Sequence, residues 1–230
     1  MNARHIGIVA CSAEGAALCY RTIVHEGDGR LGAHGHPEIT LSSLPLARYM
    51  ERIEHNDWPG VAELMLESAR KLAAAGADFL ICPDNTLHQA LPLVAPRSPR
   101  PWLHIAEVVA EEALVRGYRR LGILGTRWLV ESDVYPAALA ARGVWFSLPE
   151  PAERAELNRV IMDELVRGIL RPAALAFHQQ VIERMRRADC DAVVLGCTEI
   201  PLLVNDVNSP LPTLDSTRLL ARAALRRAVE

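Results

Sequence analysis

The chain repeats itself, weakly in identity but at a steady offset, and this constrains its fold more than any other feature. Asp78-Phe-Leu-Ile-Cys-Pro-Asp84-Asn85-Thr86 is answered 113 residues later by Asp191-Ala-Val-Val-Leu-Gly-Cys197-Thr198-Glu199. Ile6-Gly7-Ile8-Val9 is answered 115 residues later by Leu121-Gly122-Ile123-Leu124. Each copy is a short apolar run of strand character, and the Asp78 and Asp191 runs each follow a stretch with helical spacing. Residues 1–100 and 101–215 therefore read as two copies of one α/β unit, with the C-terminal helix 216–230 belonging to the first lobe.

Strands are expected at His5–Ala10, Glu38–Ser43, Phe79–Cys82, Leu121–Leu124 and Ala192–Leu195. A helix is expected over Pro59–Ala75, where Val61, Leu64, Met65 and Leu72 share a face, Asn56 or Asp57 offers a cap, and Gly76 a stop. Ala106–Arg116 ahead of Gly117, Pro172–Ala188, and Ser216–Val229 behind Asp215 follow the same pattern. The expected fold class is α/β, with two pseudo-symmetric three-layer lobes, mainly parallel sheets and a cleft between them.

Half of the 230 residues are apolar, enough to bury a full core. A net charge of −3 gives no basic field for nucleic acid. Five cysteines, widely spaced and without a Cys-x-x-Cys pair, read as reduced cytosolic thiols rather than a metal or disulfide framework. The apolar run Ile6–Ala10 ahead of Cys11 is too short for a secretory signal. No stretch approaches the roughly 18 apolar residues of a membrane span. A soluble, cytoplasmic protein without a membrane partner is the expectation.

Open parallel sheets bind ligands beyond the carboxyl ends of their strands. That rule lines the expected cleft with Cys11-Ser12-Ala13-Glu14, Asp84-Asn85-Thr86, Gly125-Thr126-Arg127 and Cys197-Thr198-Glu199. Asp84 and Cys197 occupy equivalent positions of the repeat and are expected to face each other.

Gly196-Cys197-Thr198-Glu199-Ile200-Pro201 resembles the second catalytic motif of the aspartate/glutamate racemase family, and Pro83-Asp84-Asn85-Thr86-Leu87-His88 resembles the first. Gly125-Thr126-Arg127-Trp128 looks like a further signature between them, so the resemblance spans essentially the whole chain. It implies catalysis between two α/β lobes without pyridoxal phosphate or metal, on an amino acid or related carboxylic acid, in a homodimer. Two departures stand out. Asp84 occupies the place where the two-cysteine form of the family carries its first thiol, and Ala10-Cys11-Ser12-Ala13-Glu14-Gly15 replaces a segment that usually reads Gly-Gly-Met.

Racemisation without a cofactor needs two acid/base groups on opposite faces of Cα, and a thiol suits one of them when nearby donors lower its pKa. Cys197 is assigned to one face and Asp84 to the other. By resemblance, Ser12, Asn85, Thr86, Thr126 and Thr198 hold the α-carboxylate, Glu199 accepts from the α-ammonium, and Arg48 meets an acidic side chain, with aspartate or glutamate as default substrate. Cys82, two residues before Asp84, would share its face of an extended strand and is the alternative second group. Its simpler reading is a packed core thiol, as for Cys19 and Cys190, while Cys11 is as fit for the cleft as for the core. Asp84 also suits an Asx-type turn, and His88 suits either orienting Asp84 or a structural hydrogen bond. No His, Asp or Glu spacing suggests a metal site. Two other functions fit the same scaffold: a decarboxylase or maleate-type isomerase using Cys197 alone, and a non-catalytic amino-acid binding module.

Overall fold

The computed structural model describes residues 3–230. In chain order it runs β1 (Ile6–Ala10), α1 (Ala13–Leu31), β2 (Ile39–Ser43), α2 (Leu46–Glu54), α3 (Trp58–Ala74), β3 (Phe79–Ile81), α4 (Leu91–Val94) and α5 (Ile105–Val115). It continues with β4 (Arg120–Leu124), α6 (Arg127–Val130), α7 (Val134–Ala140), β5 (Trp145–Ser147), α8 (Pro151–Asp163), α9 (Pro172–Arg187), β6 (Ala192–Leu195), β7 (Thr213–Asp215) and α10 (Ser216–Val229). The chain forms two compact units, Met1–Val108 with Thr217–Glu230, and Val109–Ser216. It passes from one to the other within α5 and returns at the start of α10.

In the first unit the sheet order is β2-β1-β3; in the second it is β5-β4-β6-β7. Every pairing is parallel, in register Ile8 to Ile81 in one sheet and Leu124 to Leu195 in the other. The α/β class with parallel sheets is thus as the periodicity indicates. β1 and β6 are buried along their whole length, which explains their unbroken apolar runs. Asp57 caps α3 by accepting from the Gly60 amide at 2.9 Å, one of the two residues offered for that role.

The repeat has a physical basis at the entry to each central strand. The Asp78 carboxylate accepts from the His5 amide at 2.8 Å while the Asp78 amide donates to the His5 carbonyl at 2.8 Å. Asp191 makes the same two-way contact with Arg120, both bonds at 2.8 Å, and also accepts from the Arg119 amide. Gly7 and Gly122 match as well. A Cβ on Gly7 would lie 3.3 Å from Leu72 of α3 and 2.5 Å from the Leu80 side chain, and one on Gly122 would overlap the Met185 thioether of α9. In both units the helix leading into the third strand rests on a glycine of the first.

The repeat also extends further than its motifs suggest. The Leu80 amide donates to the Pro101 carbonyl at 2.8 Å, and the Val193 amide to the Pro212 carbonyl at 2.9 Å. The segment after Pro101 forms a single parallel bridge, Leu80 to Trp102, where the segment after Pro212 forms β7. Helices α5 and α10 follow these two segments. Arg222 of α10 holds Glu26 of α1 through three contacts of 2.8–3.0 Å, within the first unit. In the second unit Leu157, Val160 and Ile161 of α8 join Val181, Ile182 and Met185 of α9 against Leu124, Val193 and Leu195.

Replacing Asp191 by Ala strands two backbone amides and is expected to lower stability in urea unfolding by about 1–3 kcal/mol. Asp191→Asn keeps an acceptor oxygen and should lose markedly less.

Candidate functional site

β3 ends at Ile81, and the chain leaves as Cys82-Pro83-Asp84-Asn85 into a 3-10 turn at Thr86–Ala90. Asp84 is half-buried and its Oδ1 accepts from the Leu87 amide at 3.3 Å, so the residue does serve as a turn cap. Asn85 is buried and Thr86 half-buried beside it. Cys82 is completely buried, with its thiol 4.0 Å from the Asp84 carbonyl. Burial, reinforced by the Asp84 charge, pushes that thiol well above its usual pKa, which keeps it protonated and fits a packing role.

His88 donates from Nε2 to the Cys82 carbonyl at 3.1 Å, so it fixes the loop through Cys82. Its ring meets that of His104 edge-on at 4.6 Å, and its Nδ1 is buried without a partner. Burial first, and then the facing His104, push the His88 pKa down to about 3. His104 accepts from the Ala106 amide at 3.2 Å, at the start of α5.

On the neighbouring strand end Cys11 is buried, and Ser12 caps α1 by accepting from the Gly15 amide at 3.2 Å. Arg48 is exposed and paired with Glu67 at 3.0 Å, and Glu67 also holds Lys71 at 2.7 Å. The next residue, Tyr49, was not indicated by the sequence. It is fully buried, and its hydroxyl, also buried, makes no hydrogen bond of ordinary geometry. Burial, then Cys82 and Cys11, raise its pKa far above the usual phenol value, with Asp84 adding a smaller effect and Ser68 opposing. The available signal was the pairing of Tyr49 with Ile53 one turn on, which turns both inward from α2.

In the second unit β4 and β6 end side by side, and the loops after them are drawn together by the Gly196 amide donating to the Leu124 carbonyl at 2.8 Å. A Cβ at Gly196 would sit 2.6 Å from that carbonyl, so only glycine permits the approach. Thr126 is buried at the head of α6, where its carbonyl accepts from Leu129 and Val130. Cys197 is partly buried against the core of this unit, and its thiol donates to Glu199 Oε2 at 2.9 Å. The Thr198 hydroxyl donates to the same oxygen at 2.7 Å. Glu199 is only 3% exposed, and its Oε2 accepts from both the motif's own thiol and its hydroxyl.

Thus the first unit gathers Cys11, Ser12, Tyr49, Cys82 and Asp84 at the carboxyl ends of β1 and β3, and the second gathers Thr126, Cys197, Thr198 and Glu199 at those of β4 and β6. Among the described residues no group of His, Cys, Asp or Glu is arranged to hold a metal, and no helix is long and apolar enough to cross a membrane.

Two parallel sheets, one ending in the Asp84 motif and the other in the Cys197 motif, are shared with isomerases of the racemase class. Residues 6–224 match the model of the Asp/Glu/hydantoin racemase family, and the chain belongs to that family. It is 24% identical over 195 residues to the broad specificity amino-acid racemase RacX of Bacillus subtilis, covering 83% of this chain and 81% of that one. It is 31% identical over 165 residues to a glutamate racemase of Thermus thermophilus, covering 70% of this chain but only 59% of the relative. Among solved structures, a candidate Asp/Glu racemase from Yersinia pestis superposes with a TM-score of 0.91 at 29% identity, covering 99% and 100% of the two chains. An aspartate racemase homologue from Pyrococcus horikoshii OT3 gives 0.85 at 28%, with the same coverage.

The buried groups set how stability responds to pH. His88 is neutral when folded down to about pH 3 but takes a proton near its usual 6.5 when unfolded, so its stabilisation is present above pH 6.5 and is lost as pH falls toward 3. The loss proceeds at up to about 1.4 kcal/mol per pH unit, and His178, also lowered by burial, acts in the same direction. Urea midpoints should therefore drop between pH 6.5 and 4, less steeply in His88→Gln. Tyr49→Phe removes an unsatisfied buried hydroxyl and should leave the melting temperature unchanged or raised.

Proposed function

We propose that the protein racemises an amino acid by two-base 1,1-proton transfer at Cα, with Cys197 serving one face and Asp84 the other. The observation that carries this reading is the 2.9 Å contact from the Cys197 thiol to a Glu199 carboxylate that is almost wholly buried. It supplies what a cysteine base lacks, a place for its own proton. Transfer from Sγ to Glu199 leaves a thiolate, which takes the α-proton from one face. Asp84, protonated at the outset, delivers its proton to the other face of the carbanion. The reverse reaction starts from the resulting state, with Asp84 ionised and Glu199 protonated, and between turnovers in one direction Glu199 releases its proton to solvent while Asp84 takes one up. The Thr198 hydroxyl, bonded to the same Glu199 oxygen, orients the carboxylate.

The negative charge that develops on the substrate carboxylate needs preorganised donors. Ser12, Asn85, Thr86, Thr126 and Thr198 are the groups assigned to it. Arg48 remains the partner for an acidic side chain. Its exposed ion pair with Glu67 is readily exchanged because Lys71 also serves Glu67. Aspartate or glutamate is the default substrate, supported by the Thermus relative and by the Francisella tularensis glutamate racemase in complex with D-glutamate, which shares the fold with a TM-score of 0.67 at 11% identity. The broad specificity named for the Bacillus relative supports testing other amino acids as well. A reducing, cytoplasmic setting is consistent with five free cysteines, and a homodimer is the assembly that the family resemblance implies.

The test is α-proton exchange in deuterated buffer with separate L- and D-amino acids, followed by proton NMR. Loss of the α-signal is expected from both enantiomers at unequal rates, and it should be abolished in Cys197→Ser. Asp84→Asn should keep exchange on the face served by Cys197 and lose inversion. Glu199→Gln should lower turnover by roughly 10²–10⁴-fold and shift the basic limb of the pH profile. No exchange across a broad amino-acid panel would overturn the reading.

A further inference from the structure

The second unit carries a concavity of about 330 Å³ lined by Arg127, Glu131, Pro151, Arg154, Ala155 and Asn158. Its volume lies at the small end of ligand pockets, about 300–1,000 Å³. Its walls come from α6 and the residue after it, and from the first two turns of α8. Arg127 follows Thr126 in the strand-end segment expected to line the catalytic cleft, and the other five belong to none of the groups assigned to racemisation above.

The polar groups here are arranged unlike those of the surrounding surface. Arg159 and Arg184, on α8 and α9, are committed to Glu156, Glu164 and Glu153, whereas Arg127 and Arg154 form no ion pair among the described residues. The Arg127 guanidinium is laid over the Trp128 ring, 4.6 Å from its centre, which restricts its direction. Arg154 gives Nε to the Pro149 carbonyl at 2.6 Å, which leaves its two terminal nitrogens for a ligand. Asn158 accepts from the Arg127 amide through Oδ1 at 3.0 Å, which directs its amide nitrogen elsewhere. Among the described residues Glu131 is the only carboxylate in the wall.

Two guanidinium groups, one amide donor and one carboxylate give the concavity a net charge of about +1. We propose that it is a binding site for a free acidic amino acid, whose two carboxylates meet Arg127 and Arg154 and whose ammonium meets Glu131. Such a ligand carries a net charge of about −1 and complements the walls group by group. Because Arg127 and Asn158 are already joined, an occupant holding both also holds the head of α6, where Thr126 stands. Occupancy should therefore alter turnover as well as bind.

The experiment is titration of the ¹⁵N-labelled protein with L-glutamate, read at the Trp128 indole N–H and the Arg154 Nε–H. A saturable shift is expected, with affinity weakened about tenfold or more at the Trp128 signal in Arg154→Gln, the loss of one charge-assisted contact. Glutarate, which lacks the ammonium, should bind more weakly than glutamate, and Glu131→Gln should remove that difference. A shift that does not saturate, or equal affinity in Arg154→Gln, or equal binding of glutarate and glutamate in the unaltered protein, overturns the proposal. Binding at the catalytic groups alone would instead give an affinity that is the same in Arg154→Gln and is lost in Cys197→Ser, so failure here is distinguishable from failure of the racemase reading.

Discussion

The parallel pairing of the first and third strands in each unit is the constraint on which the rest depends. Parallel neighbours end on the same side, so the loops after β1 and β3, and those after β4 and β6, are delivered together without further design. Two devices hold each pair in register: an aspartate that both accepts from and donates to the entry of the first strand, and a glycine that lets the preceding helix rest on that strand. Asp78 with Gly7, and Asp191 with Gly122, are far from the chemistry. They nevertheless decide that Cys11 adjoins Asp84 and that Thr126 adjoins Cys197.

The sequence exposed those parts of the fold that are apolar over several residues or marked by caps. β1, β4 and β6 are buried on both faces and read as continuous runs, and α3 is bracketed by Asp57 and a glycine with positive φ at Gly76. What went unread was defined by partners. β5 has three residues and an exposed Trp145, and β7 has three residues in a proline-rich stretch; each is a strand only because β4 or β6 offers it hydrogen bonds. α1 is long, but its glycines and charged residues dilute the helical pattern.

The site was legible in the same uneven way. Motif and repeat position singled out Asp84 and Cys197, and buried neighbours set their surroundings. Nothing in the order Cys197-Thr198-Glu199 says that the carboxylate turns back to the thiol, because that depends on a 3-10 turn at Ile200–Leu202 and on a buried Glu199 finding its nearest donors. Tyr49 was hidden for the opposite reason: an aromatic residue on an apolar helix face looks like core, and the orphan state of its hydroxyl appears only in three dimensions.

The two copies share their strand-entry contacts and differ in the residues at their strand ends. In one, the residue at the strand end is a thiol that donates to a buried carboxylate, a group able to receive its proton. In the other it is a carboxylate bordered by groups that burial keeps neutral: the Cys82 thiol, the Tyr49 phenol and, through the Cys82 carbonyl, the His88 imidazole. In the proposed reaction the two copies thereby present unlike groups, a thiol and a carboxylate. Mirror symmetry fixes the equilibrium between enantiomers, but a frame occupied so unequally has no reason to bind or turn over both alike.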